Sequence, residues 1–489
     1  MTERHEHSSR RLLVTAALVT AAFGLALAAR VPIGIPGEWV WRPNELPVEL
    51  WWAALGGLVL VAVAWLVTRP GWWAHLRPVG RAGALAFLIL AVFALQCSLL
   101  NAVGAPWAAP GAVIASPVAT TYYSVSLDIR EPSAWIASYP ERMSSLPYHV
   151  RTHPPGFVLF FLLLRGACAR LLPHPSRWLG EVAEAYRTFG IGLSPADAAA
   201  AIAGAFIISL IGALSLWPCY LLGRRLMGAE AALCSAALMA AMPGLLVFGA
   251  SADEMVLTFT VITLWLSYSA WRQSSPVRAF LAGLTLAVGL FCTLGMLTVA
   301  AWLVIWLVVG MARSSDRAGA ARRAVLGALA GGAGLAVFYL ALYFTLGYRP
   351  LAVAREALLA HRGVTTVEAA RTYWKWLLMN PAEMVIFAGL PLVIAALWSC
   401  RGTGQEPGLG RWRSFLLSWL ITCALLDLSG TVRGEVGRIW LFLLWPTALA
   451  AGPWLAARPR RATVIALLVA LTAWQAILMR GYLTIYDIF

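Results

Sequence analysis

Apolar runs of about twenty residues recur along this chain, parted by short arginine-bearing loops, and this pattern limits its fold more than any other feature. Surrounded by lipid, such a run satisfies its backbone polar groups only as a helix, so each is read as a membrane span. Of the 489 residues, 61% are hydrophobic and only 12% charged, which excludes an ordinary soluble domain. The net charge of +15 is nearly all arginine, Lys375 being the sole lysine. It is spread through the loops rather than gathered in one basic tract, as expected of charge that orients spans and not of a nucleic-acid surface. The cysteines, Cys97, Cys168, Cys219, Cys234, Cys292, Cys400 and Cys423, lie mostly in apolar runs without C-x-x-C spacing. Neither a disulfide framework nor a zinc site follows from them.

The first apolar run, LLVTAALVTAAFGLALAA, follows Arg10 and Arg11 and leads into RVPIGIPGEWVW without a small-residue cleavage site, so it is read as a retained helix. With those arginines inside, 12–29 runs outward, 48–68 returns to Arg69, Arg77 and Arg81, and 82–103 runs out again into a polar loop covering 104–196. The stretch YHVRTHPPGFVLFF, Tyr148 to Phe161, then decides every later orientation. If 157–172 spans, the later arginine clusters fall outside. If it lies at the surface, Arg224 and Arg225, Arg272 and Arg278, Arg313 to Arg323, Arg401 to Arg413 and Arg458 to Arg461 all fall inside. The stretch is short, opens on two prolines and carries Arg165 and Arg170, so 154–172 is read as a juxtamembrane segment.

The remaining spans are expected at 197–222, 230–249, 255–271, a hairpin over 279–312 turning near Cys292 to Gly295, 324–347, 384–400, 414–428, 439–457 and 462–479. The fold class is therefore all-α, one polytopic membrane domain over 1–489 with about 13 spans, N-terminus cytoplasmic and C-terminus extracytoplasmic. Any chemistry falls to the outward segments 104–196, 251–254, 348–383 and 431–438.

Those segments hold the polar candidates. Tyr122, Tyr123, Asp128, Tyr148, His149 and His153 share the first loop. Its aromatic residues suit an interfacial belt or the floor of a sugar cleft. Asp128 suits a general base, or else a turn cap or a partner of Arg130. His149 and His153 are four residues apart, but Pro147, Pro154 and Pro155 argue against the helix that would bring them together on a metal. Asp253 and Glu254 begin a span, where one acid suffices to cap and two suggest more. Arg433, Glu435 and Arg438 lie at one interface, either reaching toward headgroups or gripping a phosphate, with Glu435 holding an arginine in place. Arg349, Arg355, His361, Arg362, Arg371 and Lys375 add outer positive charge, which favours an anionic ligand there.

Four stretches carry a resemblance: the Tyr122–Tyr123 pair followed by HPPG at 153–156; WPCYLLGRRLMGAEAALCSAALMAAMPGLLVFGAS from Trp217; the acids Asp253 and Glu254; and GEVGRIWLFLLWP from Gly434. Together they resemble the GT-C superfamily of integral-membrane glycosyltransferases, especially protein O-mannosyltransferases and the bacterial aminoarabinose lipid A transferase. The resemblance implies an acidic base in the first outward loop, a juxtamembrane helix at the Pro-Pro segment and a second acid in the next outward turn. One departure stands out. The Asp-Glu that family members carry before the tyrosine pair is here ATT, 119–121.

On this footing the expected enzyme is an inverting glycosyltransferase of the bacterial plasma membrane, using a polyprenyl-phosphate sugar because nucleotide sugars are absent outside. Asp128, Asp253 and Glu254 are its catalytic candidates. Tyr122, Tyr123, His149, His153, Arg433, Glu435 and Arg438 are its substrate-binding candidates. A divalent metal is left open, and no residues are assigned to one. The alternatives are a flippase for an anionic lipid-linked substrate, and a non-catalytic relative.

Overall fold

The computed structural model describes residues 2–46, 48–103, 107–188, 190–363, 371–402 and 410–486. Parts of the expected outward segments, 104–106, 189 and 364–370, lie outside the described residues, as does the Arg401 side chain. Among those described, the chain is all-α apart from two short strands, Gly34–Ile35 and Trp39–Val40, paired antiparallel with Ile35 opposite Trp39. Ile35-Pro36-Gly37-Glu38 makes the turn between them. Proline takes the second place, Gly37 takes the third at φ 83°, and the Glu38 amide donates to Ile35 O at 3.0 Å, as a type II turn requires.

A helix occupies each place where a span is expected. Five are long and apolar enough to cross a membrane by themselves: Glu6–Ala28, Pro78–Leu100, Pro195–Met227, Arg317–Leu346 and Arg461–Tyr482. Others are shorter, among them Trp51–Val67, Pro276–Cys292 and Met296–Ala312, the last two joined by the tight turn expected near Cys292 to Gly295. The run 230–249 is broken into Ala229–Met239 and Pro243–Val247, and the run 439–457 into Leu441–Leu444 and Pro446–Ala456. In each case a proline, which lacks the amide hydrogen, starts the second piece.

The segment expected to run straight through 384–400 instead bends by 100° between Tyr373–Ala388 and Leu390–Cys400. Gly389 sits at the bend with φ 103°, and a Cβ there would lie 2.6 Å from Thr472. A broken helix inside a membrane leaves backbone groups without partners. The Gln475 side chain supplies both: its amide nitrogen donates to Ile386 O at 2.8 Å and its oxygen accepts from the Leu390 amide at 2.8 Å. On one side of this bend Tyr373–Ala388 packs on Val436–Ile439 and on the Gly34–Ile35 strand.

The loop expected to be the first outward one contains a chain of short helices, Ala108–Ala115, Tyr122–Leu127, Pro132–Ala137, Tyr139–Arg142, Tyr148–Arg151, Gly156–Leu171 and Arg177–Thr188. The prolines were expected to keep 148–153 from being helical. One turn forms nonetheless, because Pro147 stands before it and Pro154 after it, where neither interrupts a helical hydrogen bond. Gly156–Leu171 has 16 residues, about 24 Å, short of a roughly 30 Å hydrocarbon core. It packs on Pro195–Leu214 and on Tyr122–Leu127. Arg165 fixes it there, donating to Asp197 Oδ1 at 2.8 Å and to the Ser126 carbonyl.

Candidate functional site

A cavity of about 400 Å³ opens where the segments expected to face outward meet. Tyr122, His149, His153, Asp253, Arg433, Glu435 and Arg438, all expected from sequence as site residues, line it, together with Thr120, Phe157, Thr298, His361 and Arg371. Segments nearly 320 residues apart in sequence therefore supply one set of walls.

Asp253 opens the helix Asp253–Gln273. The Ser251 hydroxyl donates to its Oδ2 at 2.6 Å and accepts from its amide at 3.3 Å, fixing the carboxylate at the cavity edge. Glu254 is the next residue, turned about 100° around the helix axis, and lies fully buried against Gly212 with neither carboxylate oxygen hydrogen-bonded. The two adjacent acids thus part: one faces the cavity, the other the helix packing.

His153 is held by backbone. Its Nδ1 lies 2.8 Å from the His149 carbonyl and 2.9 Å from Thr152 Oγ1. A carbonyl only accepts, so Nδ1 carries the proton and Nε2 is left as an acceptor. The Tyr122 ring stands edge-on to His153 at 5.9 Å, and buried Tyr139 donates to the carbonyls of Val150 and His153. Burial pushes the His149 imidazole down to about 3, helped by Arg438 and His153. Burial also lowers His153, although its bond to the His149 carbonyl works the other way. Both rings are neutral at pH 7.

The opposite wall is cationic. Glu435 accepts from Arg438 at 2.9 Å and from Arg371 at 3.1 Å. Arg371 also donates to the Arg433 carbonyl, while Arg433 Nη1 donates back to the Arg371 carbonyl at 2.6 Å. Burial opposes the charge of Arg438, but Glu435 and Asp253 outweigh it and raise its pKa. Burial likewise works to raise Glu435, and Arg438 and Arg371 outweigh it, holding the carboxyl below its usual range. Three guanidinium groups (371, 433, 438) against two carboxylates (253, 435) leave a net positive wall, suited to a phosphate. Behind it, Asn380 binds the Val432 carbonyl at 3.0 Å and the Gly434 amide at 3.1 Å, and Glu383 accepts from the Gly437 amide at 3.2 Å.

Besides Glu254, two expected residues lie elsewhere. Asp128 follows the last residue of Tyr122–Leu127 and is exposed, at the end of that helix remote from Tyr122. Tyr123 is buried against Phe161 and donates to Asp197 O at 2.6 Å, which makes it a packing residue. Conversely, Glu38 was not singled out, yet it accepts from Lys375 at 2.7 Å, the Thr372 amide at 2.8 Å and Trp376 at 2.9 Å, while Trp39 lies 5.3 Å from the Arg371 guanidinium. The signal was a lone acid in the Pro-Gly turn of an otherwise apolar stretch. Among the described residues, no three His, Cys, Asp or Glu side chains gather as a metal site.

Residues 197–347 match the family model of dolichyl-phosphate-mannose-protein mannosyltransferase. The resemblance to GT-C glycosyltransferases read from the sequence is borne out by this match. Among solved structures, the Archaeoglobus fulgidus oligosaccharyltransferase complex with Zn and sulfate is similar at a TM-score of 0.43 and 15% identity, over 77% of this chain and 53% of that one. The chain thus spans about half the length of that protein. No curated protein matches it by sequence.

Proposed function

We propose that this chain is an inverting glycosyltransferase that moves a sugar from a polyprenyl-phosphate donor to an acceptor hydroxyl at the extracytoplasmic face of a bacterial plasma membrane. The observation that carries this reading is the single cavity in which the Asp253 carboxylate faces the Arg371, Arg433 and Arg438 cluster. A base on one side and phosphate-binding guanidinium groups on the other are what a displacement at the anomeric carbon needs.

In this reading Asp253 takes the acceptor's proton. The acceptor oxygen attacks the anomeric carbon from the face opposite the phosphate, and the carbon–oxygen bond to phosphate breaks with its electron pair going to the phosphate oxygen. Arg433 and Arg438 stabilise the charge gathering on the departing polyprenyl phosphate. Tyr122 and His153 form the sugar-side wall, His153 offering Nε2 as an acceptor for a sugar hydroxyl. Asp128, exposed and outside the cavity, takes no part.

The test is transfer from a radiolabelled polyprenyl-phosphate hexose, scored by release of free polyprenyl phosphate. Asp253→Asn is expected to lower turnover by about 10²–10⁴-fold, while Asp128→Asn stays near wild type. Passage of intact lipid between leaflets without that release would favour a flippase and overturn the reading.

A further inference from the structure

Three helices that end at the cavity of Asp253 also share a second cavity at their other ends. On Asp253–Gln273 it is lined by Tyr268, Trp271 and Arg272; on Met296–Ala312 by Trp306 and Gly310; on Gly410–Leu428 by Arg411 and Ser414. From Asp253 to Arg272 is about 28 Å along the helix, close to a hydrocarbon core of roughly 30 Å. The two cavities therefore open at opposite faces of the membrane. The second has a volume of about 650 Å³.

Its chemistry differs from that of a loop carrying only orienting charge. Arg272, Arg313, Arg323 and Arg411 line it, and among the described residues no carboxylate does. Arg323 is paired with Asp316 at 3.7 Å, and Arg313 donates to Ser414 Oγ at 3.0 Å, which aims its guanidinium. The floor is aromatic, with Tyr268 stacked on Trp306 at 4.9 Å. Tyr268 is 3% exposed, with its hydroxyl beside the Arg411 guanidinium. A guanidinium only donates, so the hydroxyl hydrogen has no acceptor among the described residues, and an anion held by the same arginines supplies one. Val304 and Val308, each more than half exposed, continue the Met296–Ala312 helix from this cavity toward the bilayer centre, where acyl chains lie.

We propose that this second cavity binds the phosphate of an anionic phospholipid headgroup in the leaflet opposite the candidate active site, with Arg272, Arg313 and Arg411 as ligands and the Tyr268 hydroxyl as a further donor. A lipid fits better than a soluble phosphate because the cavity lies at the membrane interface beside exposed apolar side chains. The site is independent of the transferase reading and stands whether or not the chain transfers sugar.

The experiment uses the full chain in zwitterionic detergent, titrated with phosphatidylglycerol, phosphatidylcholine or inorganic phosphate and followed by native mass spectrometry and thermal unfolding. Phosphatidylglycerol is expected to bind and raise the melting temperature, and phosphatidylcholine is not. Arg313→Gln and Arg411→Gln should each weaken phosphatidylglycerol about fivefold. Tyr268→Phe, which removes one hydroxyl and leaves the packing, should weaken it about twofold to tenfold. Its lipid-free melting temperature shows that the chain is folded. Equal binding of phosphatidylcholine would overturn the proposal, as would unchanged phosphatidylglycerol affinity in folded Tyr268→Phe. Saturation by inorganic phosphate at the concentration at which phosphatidylglycerol saturates would overturn the lipid as its source.

Discussion

Arg438 donates to Glu435 at 2.9 Å, and the same carboxylate takes Arg371 on its other oxygen. One acid thus sets the direction of two guanidinium groups that line the cavity. Glu435→Gln keeps the shape and removes the charge. A hydrogen bond to a charged group contributes about 1.5–3 kcal/mol, so kcat/KM for the polyprenyl-phosphate donor is expected to fall roughly tenfold to a hundredfold. Tighter donor binding in this variant would mean that Glu435 only dilutes positive charge, and would dismiss its positioning role.

Glu38 acts on the same wall from a distance. Lys375, the Thr372 amide and Trp376 all donate to it, and the Lys375 bond first, with the others, pulls its carboxyl down to about 2 against the effect of burial. A folded value below the unfolded one means that the carboxylate's stabilisation is full above the unfolded value and is lost as pH falls toward 2. Glu38→Gln is expected to loosen 371–376, and with it Arg371. The donor KM should rise while kcat stays within about twofold of wild type, as for an interaction made equally in ground and transition states. A fall in kcat at unchanged KM would place Glu38 in the chemical step instead.

Much of this wall is legible in the sequence. Arg433, Glu435 and Arg438 are close in sequence, and Asp253 follows a helix-start signal, so local pattern and the charge asymmetry of the loops were enough to mark them. Asp128 stands outside the cavity, and an acid between aromatic residues has no direction until the helix before it is placed. Glu254 parts from Asp253 because a single step around a helix separates a cavity wall from a packed interface. Glu38 joins the site through a bend at Gly389 that depends on Gln475, about 85 residues later, and no local rule reports such a pairing. Helices stand where spans are expected, five of them long and apolar enough to cross a membrane by themselves, but Pro243, Pro446 and Gly389 break several of the others.

The histidines give the site a pH signature. Burial, first of all, holds His149 and His153 below the ordinary imidazole value, His149 at about 3. Between that value and the unfolded one near 6.5, the unfolded chain binds protons that the folded chain refuses, so stability rises with pH through this window and is full above it. The limiting slope is about 1.4 kcal/mol per pH unit for each histidine. His149→Gln removes one titrating group, so its unfolding midpoint in detergent should depend less on pH from 6 down to 4 than that of wild type. Identical slopes in the two proteins would mean that His149 protonates freely in the folded state.

Gly434 and Gly430 offer a matched pair within one loop. Both have positive φ, 88° and 61°, a region that costs an L-residue about 1–2 kcal/mol. They differ in what a methyl group would meet. At Gly434 it would lie 2.8 Å from the ring of Trp376, which is fully buried and cannot withdraw; at Gly430 it would meet Tyr373, a residue 39% exposed, which can yield toward solvent at the cost of one exposed hydrogen bond to the Leu428 carbonyl. Gly434→Ala therefore adds overpacking of roughly 1–3 kcal/mol to the backbone cost and pushes on the loop that carries Arg433, Glu435 and Arg438. The expected result is a lower melting temperature and loss of donor binding together, with Gly430→Ala losing only the smaller, backbone part of the stability. If the two variants melt alike, Trp376 is free to move and the loop is not held against it.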